Sequence, residues 1–433
     1  MPPLPLFAAA SLDAPIVKRA DRMVRAREFI VAALALAERL PTRQCALNLC
    51  ETRLAFLLGF VAACLRRQLT LLPPNQAATT LTDIRAAHPD QYTVDDAYIE
   101  QLLRAAPNAD AAIMPDWRIE ADRVVALTFT SGSTGAPQAH EKTWGALVRN
   151  AQLAAEQALG GAGARLVATV PTQHVYGLET SAITTLAANC AVFDERPFFP
   201  QDIAAALHAM EAPRTLVTTP IHLRALLAEK VQLPPLRRIV SATAPLAMQM
   251  ARAAEDAWNA PVVEIYGCTE AGVIAHRQTS ESERWRTFTG GEIVLHGESA
   301  HYQAPQLPSA IKLQDVVETL SSTEFYLRGR SSDMIKVAGK RASLQALTQQ
   351  LLDVPGVLDA AIFVPEPDMR PAALVVAPRL TAHDILAALS ARIDAAFLPR
   401  PLLLLDRLPR NALGKLTREA LLQTLRAQLH KTS

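Results

Sequence analysis

A strand-like run, Leu127-Thr-Phe-Thr130, feeds directly into Ser131-Gly132-Ser133-Thr134-Gly135-Ala-Pro137. Glycine lets a backbone come close to an anion, consecutive amides can point into one concavity, and short hydroxyls add donors, so this is the chemistry of a phosphate cradle. Alone, such a run is as readily an ordinary Ser/Gly turn. Four further motifs follow it in order. They are Pro171-Thr-Gln-His174-Val-Tyr176-Gly177-Leu178, then Ile265-Tyr266-Gly267-Cys268-Thr269-Glu270, then Tyr326-Leu-Arg328-Gly329-Arg330 running on to Gly339-Lys-Arg341, and finally Leu408-Pro409-Arg410 running on to Gly414-Lys415. No Gly-x-x-x-x-Gly-Lys-Ser/Thr occurs, which excludes a Walker-type kinase.

In this order and spacing the motifs resemble the core motifs of the adenylate-forming (AMP-binding) superfamily, which includes acyl- and aryl-CoA synthetases, the adenylation domains of peptide synthetases, and luciferases. The resemblance covers most of the chain from about Leu47 onward. It implies an ATP-dependent acid-thiol ligase working in two steps. A carboxylate attacks the α-phosphorus of ATP, giving an acyl-adenylate and pyrophosphate; the thiol of CoA or of a phosphopantetheinyl carrier protein then displaces AMP. Both steps depend on gathering anions and orienting reactants.

The resemblance also implies roles. Thr130, Ser131, Gly132, Ser133, Thr134 and Gly135 would hold the β- and γ-phosphates. Tyr266 and Gly267 would lie against adenine, Thr269 near the α-phosphate, and Glu270 on Mg²⁺, a hard cation suited to one carboxylate plus phosphates. Asp315, fifteen residues before Arg330, would join it on the ribose hydroxyls. Lys415 matches the lysine that bridges carboxylate and α-phosphate, and a point charge on a flexible stem suits a group arriving on a moving domain. His174 borders the carboxylate site. Tyr176, Gly177, Leu178, Ser241, Ala242, Thr243 and Val263 would wall the acid pocket, and these small or apolar types point to an aryl or acyl acid uncharged beyond its carboxylate. Gly339 would line the pantetheine tunnel, and Ser332 would lie at the hinge.

Departures from the family pattern are visible. The phosphate loop continues Pro137-Gln138-Ala139 where the family has Pro-Lys-Gly, and Lys142 is either a replacement charge or a solvated surface lysine. Leu313-Gln-Asp315 lacks the usual Thr-Gly before the acid, and Ser332 stands where Asp or Lys is common. Gln138 and Ser332 favour, slightly, a non-catalytic relative that binds nucleotide or acyl ligand; Glu270, Asp315, Arg330 and Lys415 argue more strongly for an enzyme.

The remaining sequence must position these groups. At 433 residues the chain suggests two or three domains. A net charge of +1 gives no reason to expect nucleic acid or a membrane surface as partner. The apolar run Leu54–Leu65, bracketed by Arg53, Arg66 and Arg67, is far short of the ~20 residues a membrane helix needs and reads as a buried helix. Met1 to Ser11 lacks a basic leader region and reads as a loose start. Cys45, Cys50, Cys64, Cys190 and Cys268 show neither disulfide nor metal spacing, and a cytoplasmic address follows.

Strands alternate with helices through most of the chain, so the fold class is α/β, with layered, mostly parallel sheets. In such sheets ligands sit beyond the carboxyl ends of strands, where the phosphate loop, Ser241-Ala-Thr-Ala-Pro245 and Tyr266–Glu270 all fall. Short strands after Thr289 suggest a distorted β subdomain. The family resemblance divides the chain into residues 1–329, a large adenylation core, and 330–433, a small mobile α+β domain carrying Lys415.

Overall fold

The computed structural model describes residues 2–19, 21–104, 112–131, 137–297, 299–330, 333–337, 340–366, 369–410 and 416–432, with the side chains of Ser131, Arg330, Arg341 and 430–432 left aside. Gly132, Ser133, Thr134, Gly135, Ser332, Gly339 and Lys415 lie outside the described residues.

Two sheets with helices on their faces build the large part. The larger has eleven strands in the spatial order Asp315–Thr319, Glu324–Arg330, Trp285–Thr287, Gly272–Gln278, Val262–Cys268, Leu236–Ser241, Arg214–Thr218, Arg165–Ala168, Ala191–Phe193, Pro15–Lys18 and Met23–Arg25. From Val262–Cys268 to Pro15–Lys18 every pairing is parallel. Both flanks are antiparallel. The second sheet runs Gln91–Val94, Cys45–Asn48, Leu69–Leu72, Val124–Ser131 and Pro137–Thr143, parallel until its last hairpin. The central strands are buried on both faces, as expected where helices cover a parallel sheet on either side.

The expected α/β class, with an antiparallel β region after Thr289, matches this architecture. Glu292–His296, Ser299–Gln303 and Ile311–Lys312 form a small antiparallel sheet. Beyond Arg330, a three-stranded sheet of Asp359–Phe363, Ala372–Val376 and Leu402–Leu404 packs with helices Leu344–Leu352, Ala382–Ser390 and Arg418–Thr432.

Local sequence explains where these helices start. The Thr143 hydroxyl accepts from the amide of Ala146 at 3.3 Å and opens the helix Trp144–Gln157. Ser343 does the same for Leu344–Leu352 at 3.3 Å. Pro200 and Pro220 stand at the first turns of their helices, where a missing N–H costs nothing.

The helix Arg53–Leu65 is buried almost throughout, as its apolar run suggests, and Arg53 is buried with it: it is 1% exposed, and its guanidinium donates to the carbonyls of Ala168 at 2.7 Å, Val170 at 2.9 Å and Glu195 at 3.1 Å. Two readings of the sequence change. The start of the chain is not loose, since Leu4–Pro5 pairs with Arg118–Ile119 and Leu6 and Phe7 are buried. Tyr266, Gly267 and Cys268 belong to a strand and not to a loop, because a tight turn at 269–271 folds the chain back into Gly272–Gln278. Among the described residues no helix is long and apolar enough to cross a membrane.

Candidate active site

The hairpin Val124–Ser131/Pro137–Thr143 brings the phosphate-loop segment to the turn that carries Glu270. Gln138, His140 and Lys142 alternate onto the face shared by Thr130, Thr128 and Ala126, their register partners. The His140 ring places Nε2 3.0 Å from the Thr130 hydroxyl and Nδ1 3.9 Å from a Glu270 carboxylate oxygen. His140 therefore lies between two residues that the sequence assigns to the nucleotide site, hydrogen-bonded to one of them. Burial, reinforced by the Lys142 charge, lowers its pKa against the opposing pull of Glu270.

Lys142 is buried, at 3% exposure, so it is neither a surface lysine nor a free charge at the phosphate loop. Its ammonium donates to the carbonyls of Thr269 and Glu270, the latter at 3.2 Å. Burial lowers its pKa, and the charges of Glu179, Cys268 and Glu270 oppose that shift. Glu179 is fully enclosed in a π-helical turn, Leu178–Ile183. Its carboxylate accepts from Asn150 Nδ2 at 2.9 Å and from the amide of Val273 at 2.9 Å. Burial pushes its pKa up to about 7 despite those donors and Lys142. Asn150 also donates to the carbonyl of Ala271 at 2.9 Å and accepts from Gln306 at 2.9 Å.

Thus Lys142, Asn150 and Glu179, from three separate elements, bind the backbone at 269, 270, 271 and 273. Sequence reasoning did not assign Asn150, Glu179 or His140 to the site. The strand alternation of 138, 140 and 142 was the available signal.

Tyr266 and Asp315, 49 positions apart, meet across the sheet: the phenol donates to the Asp315 carboxylate at 2.6 Å. Asp315 lies directly opposite Arg330 in the register of their strands. The Tyr266 ring centroid is 5.8 Å from Trp285 and 6.2 Å from Phe325, which fix its plane from one side.

At the neighbouring strand ends, the Tyr176 hydroxyl donates to the carbonyls of Thr218 at 3.2 Å and Val240 at 3.1 Å. Gly177 is closely approached: a Cβ there would lie 2.1 Å from the carbonyl oxygen of Pro171. Leu178 and Val263 are in the main core cluster, Ala242 is buried beside them, and Thr243 is exposed with φ +76°. His174 is half-buried and precedes the helix that begins at Val175. Ser241 is wholly buried, and among the described residues its hydroxyl has no partner. His222, which sequence reasoning passed over, sets Nδ1 3.2 Å from Thr169 and 2.9 Å from Thr219. Burial and the Arg196 charge lower its pKa to about 4.

The profile of the AMP-binding enzyme family matches residues 31–298, which is well over half of the chain. The chain belongs to the AMP-binding enzyme family. This AMP-binding enzyme is 26% identical over 380 residues to a sulfoacetate–CoA ligase of Cupriavidus necator, covering 76% of the chain and 72% of the relative. It is 29% identical over 272 residues to a 4-coumarate–CoA ligase of Rhodobacter capsulatus, covering 62% and 67%. Its fold superposes with a TM-score of 0.81 on the o-succinylbenzoate CoA synthetase of Bacillus subtilis bound to its acyl-adenylate, at 20% identity and over 97% and 98% of the two chains. Such a likeness shows the shared fold. The enzyme is an AMP-forming acid-thiol ligase that uses ATP and Mg²⁺ and works through an acyl-adenylate.

Proposed function

We propose that this AMP-binding enzyme activates an aryl or acyl acid, uncharged beyond its carboxylate, and passes it to the thiol of CoA, a phosphopantetheinyl carrier being the other acceptor of the same chemistry. The observation that carries the site assignment is the Tyr266–Asp315 hydrogen bond on the strand that leads into Glu270. The strand Val262–Cys268 then presents a ring for adenine, the turn after it an acid for the phosphates, and the strand Asp315–Thr319 a carboxylate for the ribose, tied to the ring. Preorganised groups of this kind cost no reorganisation at the moment of reaction.

The residues fit magnesium through the nucleotide. The Glu270 side chain is 47% exposed, a hard oxygen donor beside the phosphate-loop strand. Among the described residues no three His, Cys, Asp or Glu side chains cluster, so Glu270 would hold the ion together with phosphate oxygens. When bound, Mg²⁺ neutralises charge on those oxygens. Thr269 would donate to the α-phosphate, Asp315 and Arg330 would hold the ribose, and Ser131 to Gly135 would cradle the terminal phosphates. Lys415 would bridge the attacking carboxylate and the α-phosphate.

Tyr176, Gly177, Leu178, Ser241, Ala242, Thr243 and Val263 would enclose the acid, with His174 at the carboxylate end. Residues 330–433 would turn about Ser332 between the two steps, so that Gly339 then lines the pantetheine path. The free cysteines Cys45, Cys50, Cys64, Cys190 and Cys268 suit a reducing cytoplasm.

Carboxylate-dependent exchange of pyrophosphate into ATP, run across benzoic, cinnamic and straight-chain acids, tests the reading. Exchange confined to one class names the acid. Exchange only with acids that carry a second charge would overturn the assignment of the pocket.

A further inference from the structure

We propose that Lys142 is a positioning residue for adenylation, its buried ammonium fixing the Thr269–Glu270 turn from behind in a chain whose phosphate loop carries Gln138 in place of lysine. The inference rests on the reading of Glu270 as the group that meets magnesium and of Thr269 as the donor to the α-phosphate.

The geometry is that of a cradle around a turn. A tight turn leaves carbonyls without partners in the hairpin, and buried carbonyls need donors. Lys142 supplies them for Thr269 and Glu270, and Asn150 supplies one for Ala271 at 2.9 Å. Glu179 takes the Val273 amide at 2.9 Å and, through Asn150, closes the ring.

Lys142 is on the same strand face as Gln138, two alternations further on, so the hairpin carries its cation at the strand end that supports the turn. There it is removed from the phosphates, because it is buried and two of its three donors are engaged by main-chain oxygens. It acts instead by holding the Cα positions from which the Thr269 hydroxyl and the Glu270 carboxylate project. The His140 ring stands beside the same carboxylate, with Nδ1 3.9 Å away. Gly272 completes the fit: at φ +78° a Cβ would lie 2.2 Å from both Asn150 Nδ2 and a Glu179 oxygen.

Lys142→Met keeps the stem and removes the charge, and Lys142→Met/Glu179→Gln removes both buried charges so that no ion is left unpaired. The full chain and both variants are compared by pyrophosphate exchange, by calorimetric binding of ATP with and without Mg²⁺, and by urea unfolding. Residues that orient a metal's ligands typically change affinity or activity by about 10–100-fold, so Lys142→Met should lower the exchange kcat and weaken Mg²⁺-ATP binding within that range. Binding of ATP without Mg²⁺ and the KM for the acid should hardly change. In the double variant the urea midpoint recovers and the exchange rate stays low.

Recovery of exchange together with the midpoint would show that Lys142 only offsets the Glu179 charge, and exchange within twofold of the parent in Lys142→Met would overturn the proposal outright. The ligase reading fails separately: a parent chain silent with every acid refutes it, while the loss of Mg²⁺-dependent ATP binding in Lys142→Met still upholds the positioning role.

Discussion

Replacing Gly272 with alanine adds one methyl group at the most crowded point of the cradle. The residue has φ +78°, where an L side chain costs about 1–2 kcal/mol. The new Cβ would lie 2.2 Å from Asn150 Nδ2 and 2.2 Å from a Glu179 carboxylate oxygen, well inside any van der Waals contact. Relief requires Asn150 and Glu179 to withdraw, which abandons the Ala271 carbonyl and the Val273 amide, each held at 2.9 Å. Orphaning a buried polar group costs about 1–3 kcal/mol, so strain and the two losses together amount to roughly 3–8 kcal/mol.

Gly297→Ala supplies the control. That glycine also has positive φ, +62°, but a Cβ there meets nothing within 4 Å, so only the backbone cost remains. Urea unfolding of the two variants separates strain from collision, and pyrophosphate exchange reports whether the turn still presents Glu270. A Gly272→Ala protein that loses no more stability than Gly297→Ala and exchanges like the parent would refute the idea that the cradle holds the turn.

Three further outcomes are expected. Tyr266→Phe removes the 2.6 Å bond to Asp315 while keeping the ring, which should weaken ATP binding by about 1.5 kcal/mol, or roughly tenfold in Kd; an unchanged Kd would detach Asp315 from the nucleotide. Asp359→Asn weakens the contact between the sheet beyond Arg330 and the helix Pro220–Ala228, because Asp359 accepts from Arg410 at 2.7 and 2.9 Å and meets Arg224 of that helix at 3.2 Å. With those arginines about one-fifth exposed, the loss should be about 2–3 kcal/mol, read as faster hydrogen exchange in Asp359–Phe363, and unchanged protection would discount the contact. His222, whose pKa falls from an ordinary 6.5 to about 4, takes up a proton in the unfolded chain first. Stability is therefore complete above pH 6.5 and is lost as the pH falls toward 4, by about 3 kcal/mol in all. His222→Asn should flatten that acid limb, and an unaltered pH profile of the urea midpoint would exclude His222 as its source.

The layered α/β order was legible because apolar runs of strand length alternate with helical patterns, and helix starts at Thr143 and Ser343 announce themselves by capping chemistry. Tyr266, Thr269, Glu270 and Asp315 stand out in the sequence as candidates because their motifs carry fixed spacing. Lys142, Asn150, Glu179 and Arg53 were not. Each is a polar residue whose burial depends on partners 29 to 156 positions away, and local pattern is silent about such pairings. The polar run Pro137–Thr143 has no apolar alternation to mark it as a strand, so the shared face of Gln138, His140 and Lys142 emerges only from its pairing with Val124–Ser131.

The π-helical turn Leu178–Ile183 carries one residue more per stretch than an α-helix needs, and that surplus aims Glu179 at the Val273 amide. Deleting one residue there would convert the turn to α-helix and rotate Glu179 by about 100° relative to the helix Thr184–Ala187 that follows. Length, as well as residue type, thus sets where this carboxylate points. Chimeras and alignments that cross it stay in frame with the active site only when the residue count between Tyr176 and Thr184 is conserved.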